Sequence, residues 1–147
     1  MRFYICIINE EIISLKKNDI IKNIFSLLDQ RKKEINEEII EIENIIGKMN
    51  VFKLYLNPDL LEIKNDFLDM KKKLNEDLDE NWKIRVQINK IKDKKEQGLK
   101  SKYENLKEIE IINNQLINTY FSKNTVKIIK EEMNKKIKEI KKFIFSL

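Results

Sequence analysis

The stretch NPDLLEIKNDFLDMKKKL, residues 57–74, decides the fold. Asn57-Pro58-Asp59 opens a helix, because proline at the first helical position gives up an N–H that would be unpaired there anyway. Behind that start, Leu60, Ile63, Phe67, Met70 and Leu74 recur at alternating steps of three and four. Such spacing keeps the apolar side chains on one narrow stripe, the pattern of a helix that buries a seam against another helix.

Downstream the spacing changes to Leu78 and Trp82, two steps of four, which predicts a local irregularity that rotates the seam. Ile84, Ile88 and Ile91 resume it before Lys92–Gly98, a segment without an apolar residue. Should Gly98 end a helix there, helices over 11–49 and 58–97 are matched in length and suited to antiparallel pairing. A solitary glycine costs a helix only about 1 kcal/mol, and neither Pro nor Asn-Gly accompanies this one. One helix from 58 to about 121, with Gly98 as the place where it would break, is therefore the favoured expectation. Leu99, Tyr103, Leu106, Ile109, Ile112, Leu116 and Tyr120 carry the periodicity on. Ser122-Lys123-Asn124-Thr125 offers capping side chains, and a last helix over 125–146 places Val126, Ile129, Met133, Ile137, Ile140 and Ile144 on one face.

Upstream, Ile35, Ile39, Ile42, Ile46 and Met49 form a second seam, preceded by Ile20, Ile21, Ile24 and Leu28 and interrupted where Lys32 takes the expected core slot. Gly47 and Asn50–Asn57 look like a connection. The expectation is an all-α chain of long antiparallel helices, forming a coiled-coil hairpin or an elongated three- to four-helix bundle, with residues 1–147 as a single unit. No repeat of 20–50 residues and no Ser/Gly/Pro linker argues otherwise.

Composition needs a discount before it supports anything. Ile and Lys each occur 27 times and Asn 17 times, whereas Ala is absent and Gly and Pro total three. That is the bias of AT-rich codons, so scarce Gly and Pro do not by themselves argue for helix. Position survives the discount, because base composition does not choose spacing. The net charge of +5 is also unevenly spread. Residues 58–82 carry eight acids against four lysines, residues 83–107 nine bases against three acids, and residues 122–147 eight lysines against three glutamates. A chain so polarised favours docking between its own segments or onto a complementary partner.

The single Cys6 allows no internal disulfide, and the apolar run Phe3–Ile8 is too short for a signal peptide. The longest uncharged stretch, Ile111–Ser122, falls well short of the roughly 20 residues of a membrane span. A cytoplasmic or nuclear setting is expected. Both chain ends are apolar, and Phe3–Ile8 is compatible with a short strand or with packing on the bundle.

Complete absence of His removes Ser-His-Asp and Cys-His catalysis, histidine-ligated zinc and the Glu-x-x-His arms of di-iron bundles. Glu34, Glu37, Glu38 and Glu41 share two turns of one helix and have the spacing to offer oxygens to a hard cation, but they interleave with the Ile35/Ile39/Ile42 seam as flanking surface charges do. The acids over 76–80 lack the glycine turn of an EF-hand, and Gly98-Leu99-Lys100-Ser101-Lys102 lacks the order of a P-loop. No enzyme, metal, cofactor or small-molecule substrate is expected.

What remains is a non-catalytic scaffold or adaptor that associates through helical seams, as a homo-oligomer or as a subunit of a larger complex. Leu60, Ile63, Phe67, Met70, Leu74 and Trp82 are the expected partner-binding residues. Trp82 continues the Leu74/Leu78 series as a seam filler, or it anchors an interface. The alternative is a charge-driven binder of nucleic acid or an anionic membrane, with Lys83, Arg85, Lys90, Lys94, Lys95, Lys130 and Lys138 as anion contacts. Against it, the lysines after Trp82 scatter around the helix without interleaved aromatics, and Glu131 and Glu132 dilute the charge of the last helix.

Overall fold

The structure is a computed structural model that describes residues 2–52 and 56–145, with side chains over 9–52 and 56–142. Four helices follow in order: α1 Arg2–Val51, α2 Pro58–Lys92, α3 Gly98–Asn118 and α4 Thr125–Phe145, with no strand among the described residues. The backbone of Phe3–Ile8 lies in α1, so no short strand forms there, and Gly47 lies inside the same helix rather than in a connection. No helix among the described residues is long and apolar enough to cross a membrane.

The helix starts are set by local chemistry. The Asn57 side-chain oxygen accepts the Asp59 N–H at 2.9 Å across Pro58, and the Asn124 side-chain oxygen accepts the Lys127 N–H at 3.2 Å to open α4. Residues 119–124 connect α3 to α4, and there the Ser122 hydroxyl donates to the Asn118 carbonyl at 2.8 Å.

The continuous helix from 58 to 121 does not form: α2 stops at Lys92 and α3 begins at Gly98. At the break the Asp93 N–H still reaches the Asn89 carbonyl at 2.9 Å, but Lys94 turns back to Ile91 at 3.3 Å. Gly98 has φ +80, the only glycine with positive φ among the described residues and a conformation that glycine adopts without the Cβ penalty. Counting only the propensity cost of one glycine missed the larger fact. Residues 92–98 have no apolar side chain to bury, and most helical stability in a protein comes from such burial.

The chain divides into two compact units, residues 1–30 with 81–123 and residues 31–80 with 124–147. The first joins the early part of α1, the late part of α2 and all of α3 around Ile21, Ile24, Leu28, Ile88, Ile109, Leu116 and Tyr120. The second joins the rest of α1, the start of α2 and α4 around Ile35, Ile42, Phe67, Leu74, Ile129 and Met133. Each unit is thus a bundle of three helical segments, the all-helical arrangement the periodicity predicts.

Burial follows a stricter rhythm than hydrophobicity does. On α2 the buried positions are Leu60, Ile63, Phe67, Met70, Leu74, Asp77, Asn81, Ile84, Ile88 and Ile91, an unbroken alternation of three and four. The expected irregularity at Leu78 and Trp82 is therefore absent. Leu78 is half-buried, Trp82 is exposed, and the seam passes through two polar residues instead. On α1 the buried series runs Lys17, Ile21, Ile24, Leu28, Arg31, Ile35, Glu38, Ile42 and, after half-buried Ile45 and Ile46, Met49. Lys32 is exposed and Arg31 holds the slot; Glu38 is buried in the turn expected of Ile39, which packs half-buried against the same core.

Candidate functional site

The polar residues in these seam slots are each answered by a partner distant in sequence. In the first unit, the Lys17 ammonium bonds the Glu96 carboxylate. Asn81, 2% exposed, donates from Nδ2 to the Leu28 carbonyl at 3.0 Å and to the Tyr120 hydroxyl at 3.1 Å, while its Oδ1 accepts from Arg85 Nε at 3.0 Å. Arg85 in turn bonds Asp29. In the second unit, Arg31 Nε donates to Asp77 Oδ2 at 3.2 Å with both side chains buried, and Lys130 Nζ lies 3.3 Å from Glu38 Oε1. Buried polar groups are costly unless paired, and these contacts pair the seam residues, although the second oxygen of Glu38, Oε2, is buried without a hydrogen bond.

Two carboxyls differ in their protonation balance. Burial pushes the Glu38 carboxyl above its ordinary 4.5, against the opposing hydrogen bond and charge of Lys130. Burial acts on Glu96 in the same direction but is outweighed by the Lys17 hydrogen bond and the charges of Lys17 and Lys102, which hold it below 4.5. Glu38 thus faces the core, whereas Glu37 and Glu41 are exposed, so the four glutamates considered for a cation do not share one face. Among the described residues no group of three or more metal-ligating side chains is drawn together.

Leu60, Ile63, Phe67, Met70 and Leu74 are all covered by this chain's own helices. Trp82 is separated from them: it stands 65% exposed, next to a turn of helix whose inward slots are Asn81 and Ile84. The seven cations divide as well. Arg85, Lys94 and Lys130 are engaged with Asp29, Glu108 and Glu38, whereas Lys83, Lys90, Lys95 and Lys138 are exposed.

Two surface features escaped a search for seams. In the first unit, a groove of about 560 Å³ is lined by Ile12, Ile13, Leu99, Tyr103 and Leu106, with Asn9, Lys16 and Lys100 beside them. Lys107 sits over the Tyr103 ring at 4.9 Å, a cation–π contact at the edge of the same surface. In the second unit, Leu61 and Leu68 lie exposed seven residues apart on α2. Glu62 and Asp69 follow them one position on, also exposed. The signal for both was in the sequence, as apolar residues out of phase with the seam. Comparison with known proteins found no matching family model, no matching curated protein and no matching solved structure.

Proposed function

We propose that this chain is a non-catalytic scaffold or adaptor that binds other macromolecules through the outer faces of its helices, with α1 and α2 arranged as an antiparallel coiled-coil hairpin. The hairpin is supported by the order of partners within each unit. Glu43 meets Lys71 and Arg31 meets Asp77 in one, and Asp29 meets Arg85 and Lys17 meets Glu96, just past the end of α2, in the other, so α1 numbers fall as the numbers along α2 and its following turn rise.

The observation that carries the adaptor role is Trp82, an indole left open to water on a helix whose core slots are already filled. Tryptophan is among the residues that dominate binding energy where it becomes buried at an interface. Association through Leu60, Ile63, Phe67, Met70 and Leu74 would require a unit to open and exchange helices, whereas Trp82 is available without unfolding. Trp82→Ala and Trp82→Lys are expected to melt like the parent while losing its partners in affinity purification from the native cell. Retention of the full partner set by both folded variants would remove the idea.

Charge-driven binding is the second reading, supported by exposed Lys83, Lys90, Lys95 and Lys138. It predicts binding to RNA, DNA or acidic liposomes that weakens steeply with added salt. Commitment of Arg85, Lys94 and Lys130 to carboxylates ranks it below the first.

A further inference from the structure

We infer that the end of the second unit where α1 passes to α2 docks on a phospholipid bilayer carrying anionic headgroups, with residues 51–56 entering the interface. Val51, Phe52 and Leu56 are 77%, 71% and 71% exposed, the three most exposed large apolar side chains among the described residues. Between Phe52 and Leu56 the sequence reads Lys53-Leu54-Tyr55. Helix α4 brings a second apolar segment to the same end. Lys130 meets Glu38, thirteen residues before the end of α1, and Lys136 meets Asp66, eight residues after the start of α2. From Lys130 to Lys136, α4 therefore approaches the α1–α2 turn. Nine further residues, roughly 14 Å of helix, carry it from Lys136 through its last turn, Phe143-Ile144-Phe145.

Charge and side-chain type select the partner. Residues 44–58 carry Lys48 and Lys53 and no acid, and residues 140–147 carry Lys141 and Lys142 and no acid, in a chain with 25 acids. Of the carboxylates nearest to them in sequence, Glu43 is held by Lys71 and Glu139 by Lys136, which leaves Asp59 and Glu62 against the four lysines. Phe, Tyr and Leu interspersed with Lys suit the boundary between headgroups and acyl chains, where apolar side chains enter and ammonium groups stay with the lipid phosphates. The exposed apolar residues cluster at a turn, so they offer no stripe at helical spacing for a partner helix to pack along, and a fluid bilayer needs none. Insertion of this kind reaches roughly 5–10 Å, and stable attachment takes two signals, here an apolar one and a basic one.

The inference uses neither Trp82 nor Lys83, Lys90 and Lys95, and it goes beyond charge-driven binding because part of the attraction is apolar. Its test is flotation of the purified full chain with phosphatidylcholine vesicles, with and without phosphatidylserine. The expected result is flotation on the phosphatidylserine vesicles that persists in part at high salt and falls at least tenfold in Phe52→Asp/Leu56→Asp. Preference for the anionic vesicles should be lost in Lys48→Gln/Lys53→Gln/Lys141→Gln/Lys142→Gln. Phe52→Trp, made with Trp82→Phe so that it holds the single indole, should shift its emission to the blue on the vesicles and be quenched by brominated acyl chains. That probe decides alone if the aspartates disturb folding. A parent that does not float at low salt overturns the inference, as does an indole at position 52 that stays in water. Flotation that salt abolishes and the aspartates leave unchanged overturns it while supporting the charge-driven reading. A parent that ignores vesicles, and whose Phe52→Asp/Leu56→Asp variant loses a cellular protein, overturns it in favour of a protein contact at this turn.

Discussion

The two glycines of this chain have opposite roles, and alanine distinguishes them. Gly47 lies in the interior of α1 with open space where a Cβ would go. Gly47→Ala should therefore raise stability by about 0.5–1 kcal/mol, through helix propensity and a less flexible unfolded chain. Gly98 also has room for a Cβ, but its φ of +80 strains any L side chain. Gly98→Ala should lower stability by about 1 kcal/mol or more, both changes being read from urea unfolding. Glu38 makes a third case, since its carboxylate is buried while Lys130, its ion-pair partner, is half in water. Replacing a buried ion by a hydrophobe of similar size is often stabilising, and here the remaining ammonium is not stranded. Glu38→Leu should raise the melting temperature at neutral pH; a drop of several degrees would show that the pair outweighs the burial cost.

At the scale of the element, how much was legible depends on what fills each seam slot. Leu60, Ile63, Phe67, Met70 and Leu74 are all apolar, and their spacing placed the phase and the buried face of α2, as Asn57-Pro58-Asp59 placed its start. Between Leu74 and Ile84 the slots hold Asp77 and Asn81, so a search that follows hydrophobic residues steps onto Leu78 and Trp82 and infers a rotation that does not occur. The same error put Lys32 in the slot that Arg31 holds, and it passed over Glu38, which is buried beside Ile39, itself half-buried against the core. Such slots become recognisable only through partners 46 or 79 residues away, as Arg31–Asp77 and Lys17–Glu96 are, and one helix taken alone holds no record of them. The exposed position of Trp82 follows from the same phase, so the feature that carries the proposed role was hidden by the misplaced seam. The Arg31–Asp77 pair gives the test. Asp77→Leu leaves the buried guanidinium facing an apolar side chain and should cost about 3 kcal/mol. Arg31→Leu/Asp77→Leu should recover most of that loss or exceed the parent in stability, and a double variant no better than the single would mean that the pair is not the unit of stabilisation.

For the molecule as a whole, the two shifted carboxyls make the units respond differently to acid. Glu96 is held below its unfolded 4.5, so the stability it gives the first unit is complete above that pH and is lost as pH falls through its folded value. Glu38 is raised above 4.5, so it weakens the second unit at neutral pH and that penalty is relieved as pH falls through its folded value toward 4.5. Hydrogen-exchange protection should consequently rise in α4 on mild acidification and fall first in α3 below 4.5, with Glu38→Gln and Glu96→Gln abolishing the respective trends. Each unit is also discontinuous in sequence, since α1 and α2 contribute to both. This has a consequence during synthesis. The first core lacks Ile109, Ile112 and Leu116 until the ribosome has passed them, and the second lacks Val126, Ile129 and Met133 for longer still. Through most of translation α1 and α2 emerge with their apolar stripes incompletely covered, and neither core is complete until its α3 or α4 residues have been made.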